Sequence, residues 1–283
     1  MAGIAYRRKA NHAETFGRRL FEEHQGQAIR DTADEDLLRL NGKVENTETG
    51  AILYDRTLIN QISEASFFPE QWEFATPVTG SLRAAGRGNT MFVGDGHAEF
   101  VLKSYRRGGL PGRLNRDLYL WLGQERTRAF AEWRLLAKLT AMGLPVPRPA
   151  AARYCRVAAL FYKADLLTVR APDIMPLSER LLQRPASEEF WRAIGKGLRR
   201  FHEQGVFHAD LNAYNVQVDA QDDLFILDFD RGRLLSGGTW QKRNLARLYR
   251  SLRKIKRLEP RIAFSDRRWQ QLMHGYSNDS RSS

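Results

Sequence analysis

Two short strings late in the chain hold side chains that can do chemistry. HADLNAYN (208–215) puts His208, Asp210 and Asn215 in one polar loop, and DFD (228–230) follows after a short interval. A carboxylate beside an attacking hydroxyl can take its proton, and Asp210 is the candidate. Mg²⁺ prefers oxygen ligands and usually takes only one or two protein carboxylates. Asn215 and Asp228 supply an amide oxygen and a carboxylate at the two ends of one expected hairpin. His208 would brace the loop backbone instead of reacting. The chemistry such a set could carry is phosphoryl transfer to a hydroxyl. Singly, each piece is ordinary, since a His-x-Asp is commonly a surface loop and an Asp-Phe-Asp a strand end. Their order and spacing give them weight together.

The first string matches the kinase catalytic loop H-R-D-L-x-x-x-N at His208, Asp210, Leu211 and Asn215, and the second matches D-F-G at Asp228 and Phe229. The upstream half agrees. Lys103 sits mid-strand after a glycine-bearing loop, where a lysine that neutralises ATP phosphates belongs. Glu132 precedes Leu135, Leu136 and Leu139 by three, four and seven residues, so it lies on the apolar face of its helix. A carboxylate is costly there unless paired, and Lys103 is the natural partner. Gly86 and Gly88 could approach phosphates, although the full G-x-G-x-x-G is missing. Asp230 stands where D-F-G has glycine; it could reach a metal or cap the following turn, and the cap is favoured.

The elements that would position these groups can be read coarsely. Strands are expected at 76–79, 90–93, 99–105, 155–160 and 166–170, with helices at 126–142 and from Glu188 to Gly205. Strands at 216–218 and 224–227 form a hairpin, and a basic amphipathic helix covers 240–258. The adenine-binding hinge is expected near 165–173. Residues 1–48 are polar and read as an extension or poorly ordered tail, with a helix around 34–40. His97 reads as a turn residue.

Composition bounds the rest. The 283 residues carry a net charge of +12, and the single Cys155 excludes a disulfide framework or a multi-cysteine zinc site. No secretory signal and no run of membrane-spanning length is seen. The charge is regional: 241–268 holds eleven Lys/Arg against two Asp/Glu, whereas 1–48 holds eight against nine. A basic surface favours an anionic partner. No nucleic-acid-binding motif is visible and the basic runs lack interleaved aromatics, so nucleic acid is not expected.

The strings LKSYRRGGLPGR (102–113), RAFAE (128–132), FHADLN (207–212), LDFDRG (227–232) and NLARLYRSL (244–252) resemble the lipopolysaccharide kinase family, over roughly 49–258. The resemblance implies an α+β, bilobal protein-kinase-like fold. It would have a small β-rich N-lobe (49–171) and a short, mostly helical C-lobe (172–283). It implies use of ATP and Mg²⁺ to phosphorylate the 4-hydroxyl of 3-deoxy-D-manno-octulosonic acid (Kdo) on Kdo–lipid A. The partners implied are that anionic glycolipid and the cytoplasmic face of the Gram-negative inner membrane, with the enzyme cytoplasmic and peripheral. Arg106, Arg107, Arg113 and Arg116 are candidates for acceptor binding. A core heptose kinase of the same family is the alternative. A small atypical protein kinase fits less well, because no A-P-E string follows Asp228.

Overall fold

The computed structural model describes residues 40–78, 90–105 and 117–277. β1 (Gly42–Asn46), β2 (Gly50–Asp55), β3 (Phe74–Pro77), β4 (Thr90–Gly94), β5 (Glu99–Ser104), β6 (Tyr119–Leu120), β7 (Pro149–Ala158) and β8 (Phe161–Val169) form one sheet. Its order is β1-β2-β7-β8-β5-β4-β3, with β6 on β8. Helix α1 (Arg128–Ala141) precedes β7. Then come β9 (Met175–Pro176), α2 (Leu177–Gln183), α3 (Glu188–Glu203), β10 (Val206–Phe207), β11 (Val216–Val218), β12 (Leu224–Ile226), β13 (Arg233–Leu234), α4 (Trp240–Leu258) and α5 (Asp266–Ser277). This is the mixed architecture expected, a sheet-rich first part and a helical second part.

Ile52, Tyr54, Val93, Phe100, Leu102 and Leu167 make one buried cluster with Phe67. Each such side chain contributes about 1.5–3 kcal/mol by leaving water. Lys103 follows Leu102 and, by the two-residue period of a strand, faces the other way, toward α1. α1 is buried almost all round, with Phe130, Trp133 and Leu139 wholly enclosed. Gly143, at φ 68°, ends it, as the sequence led us to expect.

Two expectations are corrected. The sheet begins with β1, inside the segment read as an extension; its GKVEN has one apolar residue and little alternation. β7 begins at Pro149 rather than 155, because its first half is an alanine run of low strand propensity. Ala150, Ala151 and Ala152 are fully buried. Asp165, at the start of the stretch expected to hold the hinge, lies within β8 beside Arg153, whose Nη2 donates to it at 2.7 Å. The 34–40 helix falls almost wholly outside the described residues.

Ser187 caps α3, its Oγ accepting from the Phe190 N–H at 3.1 Å. α3 and α5 cross at two glycines. A Cβ on Gly195 would stand 2.0 Å from the Leu272 carbonyl oxygen, and one on Gly275 would stand 2.1 Å from that of Arg192. Gly195→Ala should therefore lose about 1–3 kcal/mol from overpacking, although alanine is the better helix former. Urea unfolding measures this, and an unchanged midpoint would contradict the close crossing.

His202, at the end of α3, places Nδ1 2.9 Å from the Tyr276 hydroxyl of α5. Burial drives its pKa from 6.5 to about 4. The unfolded chain takes up a proton near pH 6.5 while the folded one refuses it until about pH 4, so stability falls as pH drops through that window. The loss approaches about 3 kcal/mol. Melting temperatures between pH 7 and 4.5 should show this slope in the native protein and a smaller one in His202→Gln.

Candidate active site

The site begins on β5. Lys103 Nζ lies 3.1 and 3.0 Å from the two oxygens of Glu132 on α1, and 2.6 Å from Asp228 Oδ1. Tyr105, two residues along and so on the same side, donates its hydroxyl to Glu132 Oε2 at 2.5 Å. Glu132 is thus buried with three hydrogen bonds from two donors, which answers the cost of its place on an apolar face. Burial opposes the Lys103 charge, but Glu132 and Asp228 outweigh it and raise the ammonium pKa. Burial works against the Asp228 carboxylate too, and Lys103 overrides it and lowers that pKa. Burial and the neighbouring Glu132 push the Tyr105 phenol well up.

The catalytic-loop string folds as a web of backbone contacts. His208 Nε2 lies 2.9 Å from the Leu227 carbonyl oxygen, and the Asp210 N–H donates to His208 Nδ1 at 3.1 Å. These partners fix the neutral tautomer with the proton on Nε2. Burial lowers the His208 pKa and keeps it neutral. His208 therefore bridges the loop to the residue before Asp228, the bracing expected of it. Asn215 Nδ2 donates to the Asp210 carbonyl at 2.9 Å, and the Leu227 N–H donates to the Asn215 carbonyl at 2.9 Å. Asp228 itself adopts φ 64°, a conformation costing roughly 1–2 kcal/mol for a residue with a side chain, as functional sites tolerate.

Helix α4 grips this loop with one stripe. Asn244 accepts from the His208 N–H at 3.1 Å and donates to its carbonyl at 2.8 Å. Ser251 Oγ accepts from the Ala213 N–H at 3.1 Å. Between them, Arg247 Nε donates to Asp210 Oδ1 at 2.8 Å, and Arg247 Nη2 bonds the same oxygen. The sequence reading placed these three residues in the string 244–252 but gave them no role. Their spacing, 244, 247 and 251, was a usable signal, but it lies directly beside the apolar stripe of Leu245, Leu248, Leu252 and Ile255.

Asp230 departs from the expected cap. Arg128 Nε donates to its Oδ1 at 2.8 Å, and a second ion pair joins Arg128 Nη2 to Oδ2. Arg128 precedes Glu132 by one helical turn, so α1 holds the Asp228–Asp230 turn with one residue and Lys103 with the other. Gly232 lets that turn approach, since a Cβ there would stand 2.8 Å from Leu135 Cδ2. His97 sits in the turn as expected, its N–H donating to Asp95 Oδ1 at 3.1 Å. Gly86, Gly88, Arg106, Arg107, Arg113 and Arg116 lie outside the described residues.

A strand lysine tied to a helix carboxylate, facing an aspartate at the end of a hairpin and a second aspartate in a braced loop, defines a phosphotransferase of the kinase kind. The sequence matches the "Lipopolysaccharide kinase (Kdo/WaaP) family" over residues 72–276, and the chain belongs to that family. It is 44% identical over 209 residues to a 3-deoxy-D-manno-octulosonic acid kinase of Xanthomonas axonopodis pv. citri, covering 73% of this chain and 82% of the relative. The Vibrio parahaemolyticus enzyme of the same name is 42% identical over 203 residues, covering 72% and 84%. A solved structure, WaaP in complex with acyl carrier protein, aligns with a TM-score of 0.49 at 17% identity, covering 78% of this chain and 84% of that one.

Glu132→Gln keeps the shape but halves the charge facing Lys103. It should lower kcat about 10- to 100-fold through misplacement of the ammonium, measured as phosphate transfer at saturating ATP. A native rate would show that Glu132 has no part in placing Lys103.

Proposed function

We propose that this protein is an ATP-dependent kinase that phosphorylates Kdo in the lipopolysaccharide inner core, with the 4-hydroxyl of Kdo on Kdo–lipid A as the nucleophile. Family membership with named Kdo kinases over most of the chain supports the acceptor. The observation that carries the chemistry is the state of Asp210. Both of its bonds from Arg247 end on Oδ1, and the carboxylate is half exposed. Oδ2 is therefore available to a hydroxyl.

In the reaction the acceptor oxygen attacks the γ-phosphorus of ATP. The hydroxyl proton passes to Asp210 Oδ2 as the new P–O bond forms, the bond to the β-phosphate oxygen breaks, and ADP leaves. Lys103 meets the α- and β-phosphates, and its pairing with Glu132 sets where the ammonium stands. Gly86 and Gly88 are assigned to the loop over the phosphates. Arg106, Arg107, Arg113 and Arg116 are assigned to the acceptor side.

The donor set fits a magnesium ion. Asp228 bonds Lys103 through Oδ1 alone, with 42% of its side chain exposed. The Asn215 side-chain nitrogen is used on Asp210, leaving its oxygen for another partner. Asn215 Oδ1 and Asp228 Oδ2 would hold Mg²⁺, with nucleotide oxygens completing its shell, and the ion would neutralise phosphate charge. No described helix is long and apolar enough to cross a membrane. We place the enzyme on the cytoplasmic side of the inner membrane, drawn there by its basic surface, with the two lobes dividing near 171–172.

Purified protein should transfer phosphate from ATP to Kdo–lipid A, and Asp210→Ala should lose about 10²-fold or more of that rate. Turnover on heptosylated core with none on Kdo–lipid A would contradict the acceptor assignment.

A further inference from the structure

Helix α4 carries a second stripe beside the one that grips the catalytic loop. Arg243, Arg247, Arg250, Lys254 and Arg257 recur at intervals of four, three, four and three, which places them along one face. All five are exposed. Of these five, only Arg247 has an ionic partner among the described residues, and that partner is Asp210. Arg243, Arg250, Lys254 and Arg257 have no ion pair there. Cations gathered on one face without counter-charges repel one another, and an anion laid along them relieves this.

Arg247 is the member of this stripe that touches Asp210. Its guanidinium has five N–H groups, of which one on Nε and one on Nη2 serve Asp210 Oδ1. The two on Nη1 and the remaining one on Nη2 are left for a second anion. Half of the side chain is exposed. A guanidinium suits a carboxylate, which it can meet through two parallel bonds. The acceptor proposed above is a sugar acid, so it brings a carboxylate on the same ring system as the hydroxyl that must reach Asp210.

We propose that the α4 stripe is the acceptor-binding surface, and that Arg247 binds the carboxylate of the sugar acid while holding Asp210. The remaining cations take the phosphates of the glycolipid. One arginine then couples recognition to catalysis: the group that identifies the acceptor is bonded to the group that takes its proton. A neutral sugar would leave Arg247 unmatched, which gives discrimination against acceptors without a carboxylate. The inference rests on the proposed function and goes further, to residues.

The experiment is a cycle between protein and acceptor, measured with the full-length chain. Kdo–lipid A and its carboxyl methyl ester are compared as acceptors for the native enzyme and for Arg247→Gln. The ester should cost the native enzyme about tenfold or more in kcat/KM, the size of a lost charge-assisted hydrogen bond. In Arg247→Gln the same change should cost less than about twofold, because the carboxylate has no partner left to lose. Arg247→Lys should recover part of the ester penalty. KM for ATP in Arg247→Gln should stay within about twofold of native. A separate Arg250→Gln/Lys254→Gln variant should weaken the fall of acceptor affinity with added salt.

An equal ester penalty in native and Arg247→Gln enzymes would overturn the carboxylate contact. A changed KM for ATP with that equal penalty would assign Arg247 to the nucleotide phosphate instead. Native enzyme inert toward Kdo–lipid A would bring down the proposed function, and this inference with it.

Discussion

One ammonium between two carboxylates ties the molecule together. Lys103 sits on the sheet, Glu132 on α1 and Asp228 at the end of the β11–β12 hairpin, and the three meet within 3.1 Å. The Glu132 side chain is only 3% exposed. A buried carboxylate without its cation would cost several kcal/mol, so the helix can bury this face only if the strand lysine arrives. Tyr105 completes the arrangement by filling a further lone pair of Glu132. The interaction fixes where α1 lies on the sheet and where the sheet meets the helical part.

Other contacts follow from that one. With α1 set by Glu132, Arg128 one turn earlier faces the Asp228–Asp230 turn and captures Asp230. With Asp228 set, the Leu227 carbonyl points at His208, whose neutral ring can donate only from the nitrogen facing it. His208 in turn orders the Asp210 N–H. The chain of bonds runs from a strand lysine to the proposed proton acceptor without any charge left unpaired on the way. Helix α4 closes the arrangement from the far side through Asn244, Arg247 and Ser251.

The kinase-like architecture and the positions of Lys103, Glu132, Asp210, Asn215 and Asp228 were legible because each depends on local spacing. A helix period places Glu132 among leucines, a strand period separates Lys103 from Leu102, and a loop followed by a hairpin orders the aspartates. The bounds of α4 were legible for the same reason. What was not legible depends on partners distant in the chain. The alanine-rich start of β7 is a strand because neighbouring strands and α1 cover it, and alanine does not signal that by itself. α5 depends on a glycine crossing that pattern alone does not reveal. Asp230 could not be assigned from its own string, since its partner lies on α1. Arg247 was counted as net charge when it is a contact of Asp210.

Glu132 and Asp228 together hold Lys103 charged against the opposing pull of burial. NMR titration of the labelled lysine amines measures this directly. The Lys103 pKa should lie above the ordinary 10.5 in the native protein and fall in Glu132→Gln, where burial meets less opposition. A native Lys103 that titrates at or below the ordinary value, unchanged by Glu132→Gln, would contradict it.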